Sequence, residues 1–374
     1  MKIAIVGCGW VADFYLTTLP GHPGLKVLGA YDRDAARLEA CTRYHGIGAY
    51  PSLDALLGDP LVELVVNLTN PRSHFEITRA ALLAGKHVYS EKPLAMTMAE
   101  AEEMMALARE RGLGLAAAPC NHLSPPIQRM KEEMRAGRMG RILMAQAEMD
   151  DNLVPYLDHP RWRSLSGASW PARDEFEVGC IMEHAGYQVG PLVELLGPVR
   201  HVTALPTTLV PEKAAMVGAG PTGPDFSTGI LEFDGGVVAR LNLSIVAPHN
   251  RLLRVVGTRG FATMSDVWDN RSRVTFSPTG SGRRERAVRK LELKLGHWLP
   301  GILLGRRLSM PMWKRQPKAP GMDFASGIAQ LAAQIEMGAP KLVGPELALH
   351  VTEVTLALQS LQQAGRRQEM RTSF

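Results

Sequence analysis

Near its N-terminus the chain passes from a short apolar strand, through the turn Gly7-x-Gly9-x-x-Ala12, into a helical stretch. The first glycine permits a tight turn, the second lets the backbone approach a pyrophosphate, and the small third residue lets helix and strand pack closely. The N-terminus of the helix also favours an anion. Because this pattern lies between a strand and a helix, it predicts a dinucleotide-binding turn, with contacts from Gly7, Gly9, Trp10, Val11 and Ala12.

A second strand ends on an acidic residue at the distance expected for a ribose ligand. Asp32 lies twenty residues beyond Ala12, where a carboxylate accepts hydrogen bonds from a ribose diol. The same carboxylate repels a 2′-phosphate, so NAD is the predicted cofactor. Arg33 follows directly and could offset this repulsion, which leaves NADP as the alternative.

Strands and helices continue to alternate as far as residue 122. This alternation predicts an α/β fold with an N-terminal Rossmann doubly wound parallel sheet, whose ligands bind at the carboxyl ends of the strands. Polar residues end three of these strands and are therefore expected to line one crevice: Asp32, Thr69, Asn70, Glu91 and Lys92.

The segment from Asn70 to Ala95, with "AGKHV" followed by "EKP", resembles the Gfo/Idh/MocA family of oxidoreductases. The resemblance implies NAD(P)-dependent oxidation or reduction of sugars, glycosides, cyclitols and related polyols, in a homodimer or homotetramer. It also implies that Lys92 contacts both nicotinamide and substrate, and that Asn121 faces the nicotinamide. His74, near the end of the third strand, is placed among the predicted cofactor contacts, with a structural histidine that has its own hydrogen-bond partners as the alternative.

The remainder of the chain differs in pattern. Residues 1–122 are predicted to form the NAD(P)-binding Rossmann domain, and 123–374 a substrate-binding and oligomerisation α+β domain with a largely antiparallel sheet. Hairpins are predicted at Asp234-Gly235-Gly236 and at Thr258-Arg259-Gly260.

One segment of this second half departs from the family pattern. Where the family carries Asp, then His four residues on and Asp three further, this chain has Glu183, Tyr187 and Gly190. Positions 183 and 187 share a face of a helix. We therefore predict Tyr187 as the proton-transfer residue, with Lys92 lowering its pKa and Glu183 orienting the pair. His184 is the rival base.

The segment before this helix brings several charges toward the predicted entrance of the crevice. Arg163 is a predicted substrate contact. Surface charge is the alternative for this residue and for the run Arg173, Asp174, Glu175 and Glu177.

The net charge of +5 arises from one segment. Between Arg283 and Lys318, eleven Lys or Arg face two Glu, a local charge of +9 that leaves about −4 for the rest (5 − 9). This insertion, at about 281–320, has a basic amphipathic pattern over 284–299. We predict that this insertion packs on a partner subunit or covers the cleft, in preference to contacting a membrane surface. No nucleic-acid-binding motif accompanies its charge, so nucleic acid is not a predicted partner.

The remaining features set the class and compartment. The four cysteines are scattered, which argues against a metal site or a disulfide framework. With no signal-peptide pattern, a cytoplasmic location is predicted. The sequence therefore predicts an NAD(P)-dependent dehydrogenase or reductase acting on CH–OH groups of a small-molecule sugar or polyol. The alternative is a catalytically inactive NAD(P)-binding regulator or sensor.

Overall fold

The computed structural model describes residues 1–218, 220–279, 321–339 and 343–374, together with the positions 290, 306 and 307. Elements are numbered in chain order over these residues. The predicted insertion at about 281–320, including the helix at 284–299, lies outside them apart from those three positions. Within the described residues, no helix is both long and apolar enough to cross a membrane.

The N-terminal half contains a five-stranded parallel sheet in the order β2-β1-β3-β4-β5. Its central strands are apolar and covered on both faces; Ile3, Ala4 and Ile5, for example, have no exposed surface. The predicted doubly wound sheet is therefore confirmed. Its strands are β1 (Lys2–Val6), β2 (Lys26–Tyr31), β3 (Leu64–Asn67), β4 (His87–Ser90) and β5 (Leu115–Ala117).

Helices connect these strands, and sequence signals explain several of their ends. Thr97 and Glu100 form a reciprocal capping box at the start of the fifth helix, and Asp34 accepts two backbone N–H groups at the start of the second. The helices are α1 (Ala12–Thr18), α2 (Ala35–His45), α3 (Leu53–Gly58), α4 (His74–Leu83) and α5 (Met98–Glu110).

The second sheet is mixed and mostly antiparallel, as predicted. Its order is β14-β13-β12-β11-β6-β9-β8-β7-β15, with β10 paired to β6 and with β6 and β9 parallel. Both predicted hairpins are present, between β8 and β9 and between β11 and β12. The strands are β6 (Ile142–Leu153), β7 (Val199–Thr207), β8 (Phe226–Phe233), β9 (Val238–Ser244), β10 (Val246–Asn250), β11 (Leu253–Gly257), β12 (Gly260–Met264), β13 (Val274–Pro278), β14 (Arg306–Arg307) and β15 (Gln368–Glu369).

Helices of the second half join the two sheets. The last two helices pack back on the first sheet so closely that a Cβ on Gly327 would lie 2.4 Å from the Tyr89 hydroxyl. Side chains from both sheets accordingly share one hydrophobic cluster. The helices are α6 (Pro125–Arg135), α7 (Ala172–Val178), α8 (Cys180–His184), α9 (Gly186–Leu196), α10 (Lys213–Met216), α11 (Ser326–Met337) and α12 (Pro345–Gln359).

Candidate active site

A cleft of about 1200 Å³ lies at the carboxyl ends of β1 to β4. It extends from the glycine turn to helices α8 and α9, so both halves of the chain form its walls. The volume exceeds that of an ordinary small-molecule pocket and suits a dinucleotide together with a substrate.

Glycine occupies positions 7 and 9 of the turn for different structural reasons. Gly7 has φ +100°, and a Cβ there would lie 2.6 Å from the Leu68 carbonyl oxygen, so the fold itself requires glycine. A Cβ on Gly9 would meet no atom of the described residues within 4 Å, so these residues leave the space beside it open. Trp10 and Val11 line the cleft, whereas Ala12 is fully buried beneath them. The turn therefore fits a dinucleotide whose phosphates lie against Gly9.

Asp32 is positioned by backbone groups at the end of β2. Its carboxylate accepts hydrogen bonds from the Cys8 N–H (2.8 Å) and the Asp34 N–H (2.9 Å). Arg37 lies 3.7 Å from it, and Arg33 lines the same part of the cleft. Asp32 is thus held at the rim of the glycine turn with cations nearby.

The end of β3 supplies further walls of the cleft. Thr69 and Asn70 line it, and the Asn70 amide donates to Asp174 at 3.3 Å. His74, predicted to contact the cofactor, is instead fully buried behind this wall. Its ring nitrogens lie 2.6 Å from the Pro93 carbonyl and 2.9 Å from the Thr69 carbonyl. His74 therefore positions the two strand ends and does not face the cleft.

The end of β4 holds the "EKP" segment. Glu91 is buried; it accepts a hydrogen bond from the Tyr15 hydroxyl (2.7 Å) and one from the Lys92 N–H (3.0 Å). The Lys92–Pro93 peptide bond is cis. Lys92 leaves this fixed strand end with its ammonium in the cleft.

Lys92 contacts Glu183 and lies close to Tyr187, the two residues predicted to share one face of a helix. Its Nζ forms an ion pair with the Glu183 carboxylate and lies 5.8 Å from the centre of the Tyr187 ring. Ala185 has helical dihedral angles, so α8 and α9 run on almost without a break and keep positions 183 and 187 on one face. Gly179 starts this segment with φ +95°, packed against Gly223. The predicted trio is therefore assembled.

Burial and charge govern the protonation of this trio. Burial raises the pKa of Glu183 to about 7 against the lowering effect of Lys92. For Lys92, burial lowers the pKa, but the surrounding acids, chiefly Glu183, raise it overall. The pKa of Tyr187 is raised well above its usual range, because burial outweighs the lowering effect of Lys92. This direction is opposite to the expected one: in the free protein, Tyr187 is a neutral phenol.

His184, the rival base, lies in an acidic environment on the same wall. Its Nε2 is 3.3 Å from the Glu175 carboxylate and 3.7 Å from that of Asp151. Burial lowers the pKa of His184, but these carboxylates raise it overall. The ring lines the cleft, so His184 remains an alternative to Tyr187 by position.

Asn121 and Arg163, predicted to contact the cofactor and the substrate, do not line the cleft. Asn121 is 1% exposed and lies beneath the wall, where its amide donates to the Tyr187 carbonyl (2.7 Å); it supports α9 and does not face the nicotinamide region. Arg163 is exposed, and its guanidinium donates to the carbonyls of Pro160 and Trp162 in its own loop. It therefore does not reach the cleft.

The charged run before α8 divides into two faces. Asp174 and Glu175 line the cleft, while Arg173 pairs with Glu177 on the outside of α7. The expectation of surface charge thus holds for the outer pair and fails for the inner one.

Several cleft residues gave no sequence signal. Asp151 lies near the end of β6, and Arg251 binds its carboxylate at 2.6 Å. The Arg251 guanidinium also stacks 4.0 Å from the Trp268 ring, which packs on Tyr187. These contacts join strands that are remote in sequence, so only the folded sheet reveals them.

Family comparisons agree with this arrangement. Residues 1–118 match the family described as "Oxidoreductase family, NAD-binding Rossmann fold", and residues 127–263 match the "GFO/IDH/MocA C-terminal domain". Trans-1,2-dihydrobenzene-1,2-diol dehydrogenase of Oryctolagus cuniculus is 31% identical over 265 residues, which cover 70% of this chain and 74% of that protein.

Solved structures share the fold at lower identity. Aldose-aldose oxidoreductase of Caulobacter crescentus, complexed with glycerol, superposes with a TM-score of 0.75 at 19% identity, covering 99% of each chain. WlbA dehydrogenase of Bordetella pertussis, in complex with NADH and UDP-GlcNAcA, has a TM-score of 0.73 at 18% identity. It covers 100% of this chain and 98% of that one.

Proposed function

The chain belongs to the GFO/IDH/MocA family of NAD-binding oxidoreductases, and from that premise we propose that it interconverts a hydroxyl and a ketone on a sugar, glycoside or cyclitol. The observation that carries the proposal is the meeting of Lys92, Glu183 and Tyr187 in a cleft that continues to the glycine turn. A cofactor-binding sensor needs the turn but has no use for this trio.

The nicotinamide, when bound, accepts or supplies the hydride. The chain supplies the proton chemistry. The Lys92 ammonium donates a hydrogen bond to the substrate oxygen and stabilises negative charge on it during the reaction. Glu183 holds that ammonium in place through the ion pair.

Tyr187 is proposed to move the proton. As a neutral phenol beside Lys92, it can protonate the substrate oxygen when a ketone is reduced. In the oxidative direction Tyr187 must first lose its own proton, because only the phenolate can accept the proton of the substrate hydroxyl. Burial disfavours this anion and the Lys92 ammonium favours it, with burial the larger effect in the free protein. The burial of Tyr187 and its packing on Trp268 keep this exchange away from bulk water.

NAD is the proposed cofactor in preference to NADP. Asp32 lies where a ribose diol would be bound, and its carboxylate is fixed by the glycine turn itself. Arg37 and Arg33 lie close enough to moderate the repulsion of a 2′-phosphate, so the preference is one of degree.

The test is a panel of sugars, glycosides, cyclitols and vicinal diols, with their keto forms, assayed with NAD(H) and NADP(H). Turnover is followed by the absorbance of the reduced nicotinamide, with a Lys92→Ala variant as control. Turnover by the wild-type protein alone supports the proposal. Tight cofactor binding with no turnover of any compound favours the sensor.

A further inference from the structure

Among the residues that the structure describes, carboxylates outnumber cations at the end of the cleft where Lys92 lies. Lys92 is paired with Glu183, and Arg251 with Asp151, so neither cation is free for the remaining acids. The carboxylates lining this end are Glu91, Asp151, Asp174, Glu175 and Glu183.

Three of these acids have no Lys or Arg ion-pair partner among the described residues. Glu91 is one of them, and its carboxylate accepts hydrogen bonds from the Tyr15 hydroxyl and the Lys92 N–H. Asp174 accepts hydrogen bonds from the neutral Asn70 amide. Glu175 is only 8% exposed, lies 3.3 Å from His184, and its Oε1 accepts no hydrogen bond in the part of the chain that the structure describes. A protonated His184 compensates Glu175 and leaves Asp174, which is partly buried, without a cation from the described residues. Since removing a carboxylate from water without a cation is costly, this wall is suited to a cation that arrives with a ligand.

Aromatic rings form the adjoining wall. Trp162 and Trp170 line the cleft with their ring centres 5.2 Å apart, and α7, which carries both acids, begins two residues after Trp170. Indole faces attract organic cations and also pack on the apolar faces of sugar rings. Carboxylates beside indole rings are therefore a fitting surface for a positively charged, ring-shaped ligand.

We propose that the cleft selects a substrate bearing a protonated amine, an amino sugar or aminocyclitol, whose ammonium lies between Asp174 and Glu175. The inference rests on the proposed function, because the same ligand must present its reacting hydroxyl to Lys92 and Tyr187. It also implies that carboxylated or phosphorylated analogues are repelled from this wall.

Binding is tested with matched ligands titrated calorimetrically into the protein saturated with NADH. The probes are glucose and an inositol, each with its amino-deoxy, N-acetylamino and carboxylate counterparts. The amino forms are expected to bind at least tenfold more tightly than the neutral and N-acetylated forms, and the carboxylates most weakly. Equal binding of the amino and neutral forms would overturn the proposal.

Variants then assign the preference to particular residues. Asp174→Asn and Glu175→Gln keep shape and remove charge, so each should lower the ratio of amino to neutral affinity by roughly 10- to 100-fold, the range for a charge-assisted hydrogen bond. Glu177→Gln is the matched control, because this carboxylate of the same helix pairs with Arg173 and Arg72; the ratio should not change. A preference that survives both inner variants contradicts the assignment.

The same panel separates this inference from the proposed function. Turnover of neutral sugars with no preference for amines sinks the inference and leaves the proposed function intact. Selective binding of amines with no turnover, with either cofactor, supports the inference for binding and sinks the proposed oxidoreductase activity.

Discussion

Asp32 ties cofactor choice to the geometry of the glycine turn. Its carboxylate accepts a hydrogen bond from the Cys8 N–H and also lines the cleft, so the charge that we propose discriminates against a 2′-phosphate also holds the backbone of the glycine turn. We expect NAD(H) to bind more tightly than NADP(H). Asp32→Asn should lower the ratio of NAD(H) to NADP(H) affinity by roughly tenfold, because a hydrogen bond to a charged group contributes about 1.5–3 kcal/mol.

Calorimetric titration of both cofactors checks this expectation. Asp34→Asn is the control, because Asp34 is half exposed and asparagine also caps a helix well. An unchanged preference in Asp32→Asn, or a wild-type preference for NADP(H), would transfer the selective role to Arg33 or Arg37.

In this mechanism, the protonation of Glu183 determines how kcat/KM depends on pH. Burial raises its pKa to about 7, so above that pH it is ionised and holds Lys92, and below it the ion pair is lost. We expect kcat/KM to fall as the pH drops through about 7, and this limb to be absent in Glu183→Gln. His184→Asn is the control: if that variant abolishes the limb while Glu183→Gln keeps it, the titrating group is the histidine.

At the scale of elements, the strand–turn–helix unit contains two glycines whose substitution should affect different properties, folding stability for Gly7 and cofactor binding for Gly9. Gly7→Ala places a methyl group 2.6 Å from a carbonyl oxygen in a left-handed conformation, which costs on the order of 1–3 kcal/mol of folding stability. The methyl group of Gly9→Ala has no atom within 4 Å in the described part of the chain, so the unfolding free energy of this variant should be close to that of the wild type.

The Gly9 variant should be distinguished by its cofactor affinity and not by its stability. Gly9→Ala is expected to weaken NAD(H) binding at least tenfold without loss of stability, because the methyl group occupies the space assigned to the pyrophosphate. Chemical denaturation and calorimetric titration measure the two effects separately. Normal NAD(H) affinity in Gly9→Ala would mean that the phosphates lie elsewhere.

Elements were more predictable from sequence than the partners of individual side chains. Alternating apolar strands and helices, the capping box at Thr97 and the register of positions 183 and 187 all follow from local periodicity. His74 and Asn121 were misplaced because their orientation depends on carbonyl groups brought near by the fold, and Arg163 because its own loop supplies its acceptors. The direction of the Tyr187 pKa depends on burial, which a helical wheel does not show.

At the scale of the whole molecule, the site exists only where the two halves meet. Lys92 comes from the first sheet, whereas Glu183 and Tyr187 come from a helix ninety or so residues later that packs against the second sheet. The shared hydrophobic cluster and the packing of α11 and α12 on the first sheet hold these walls in register. Catalysis should therefore depend on Lys92 and Tyr187 as a single device.

The most direct measurement is kcat/KM for Lys92→Ala, Tyr187→Phe and the double variant with a compound that the wild type turns over, alongside NAD(H) titration of each. Tyr187→Phe should lose on the order of 10²–10⁴ in rate, and Lys92→Ala should be inactive, with cofactor binding retained in both. Because the two residues act together, the double variant should be hardly worse than Lys92→Ala. Near-normal turnover by Tyr187→Phe, with His184→Asn inactive, would contradict the assignment of the proton to Tyr187.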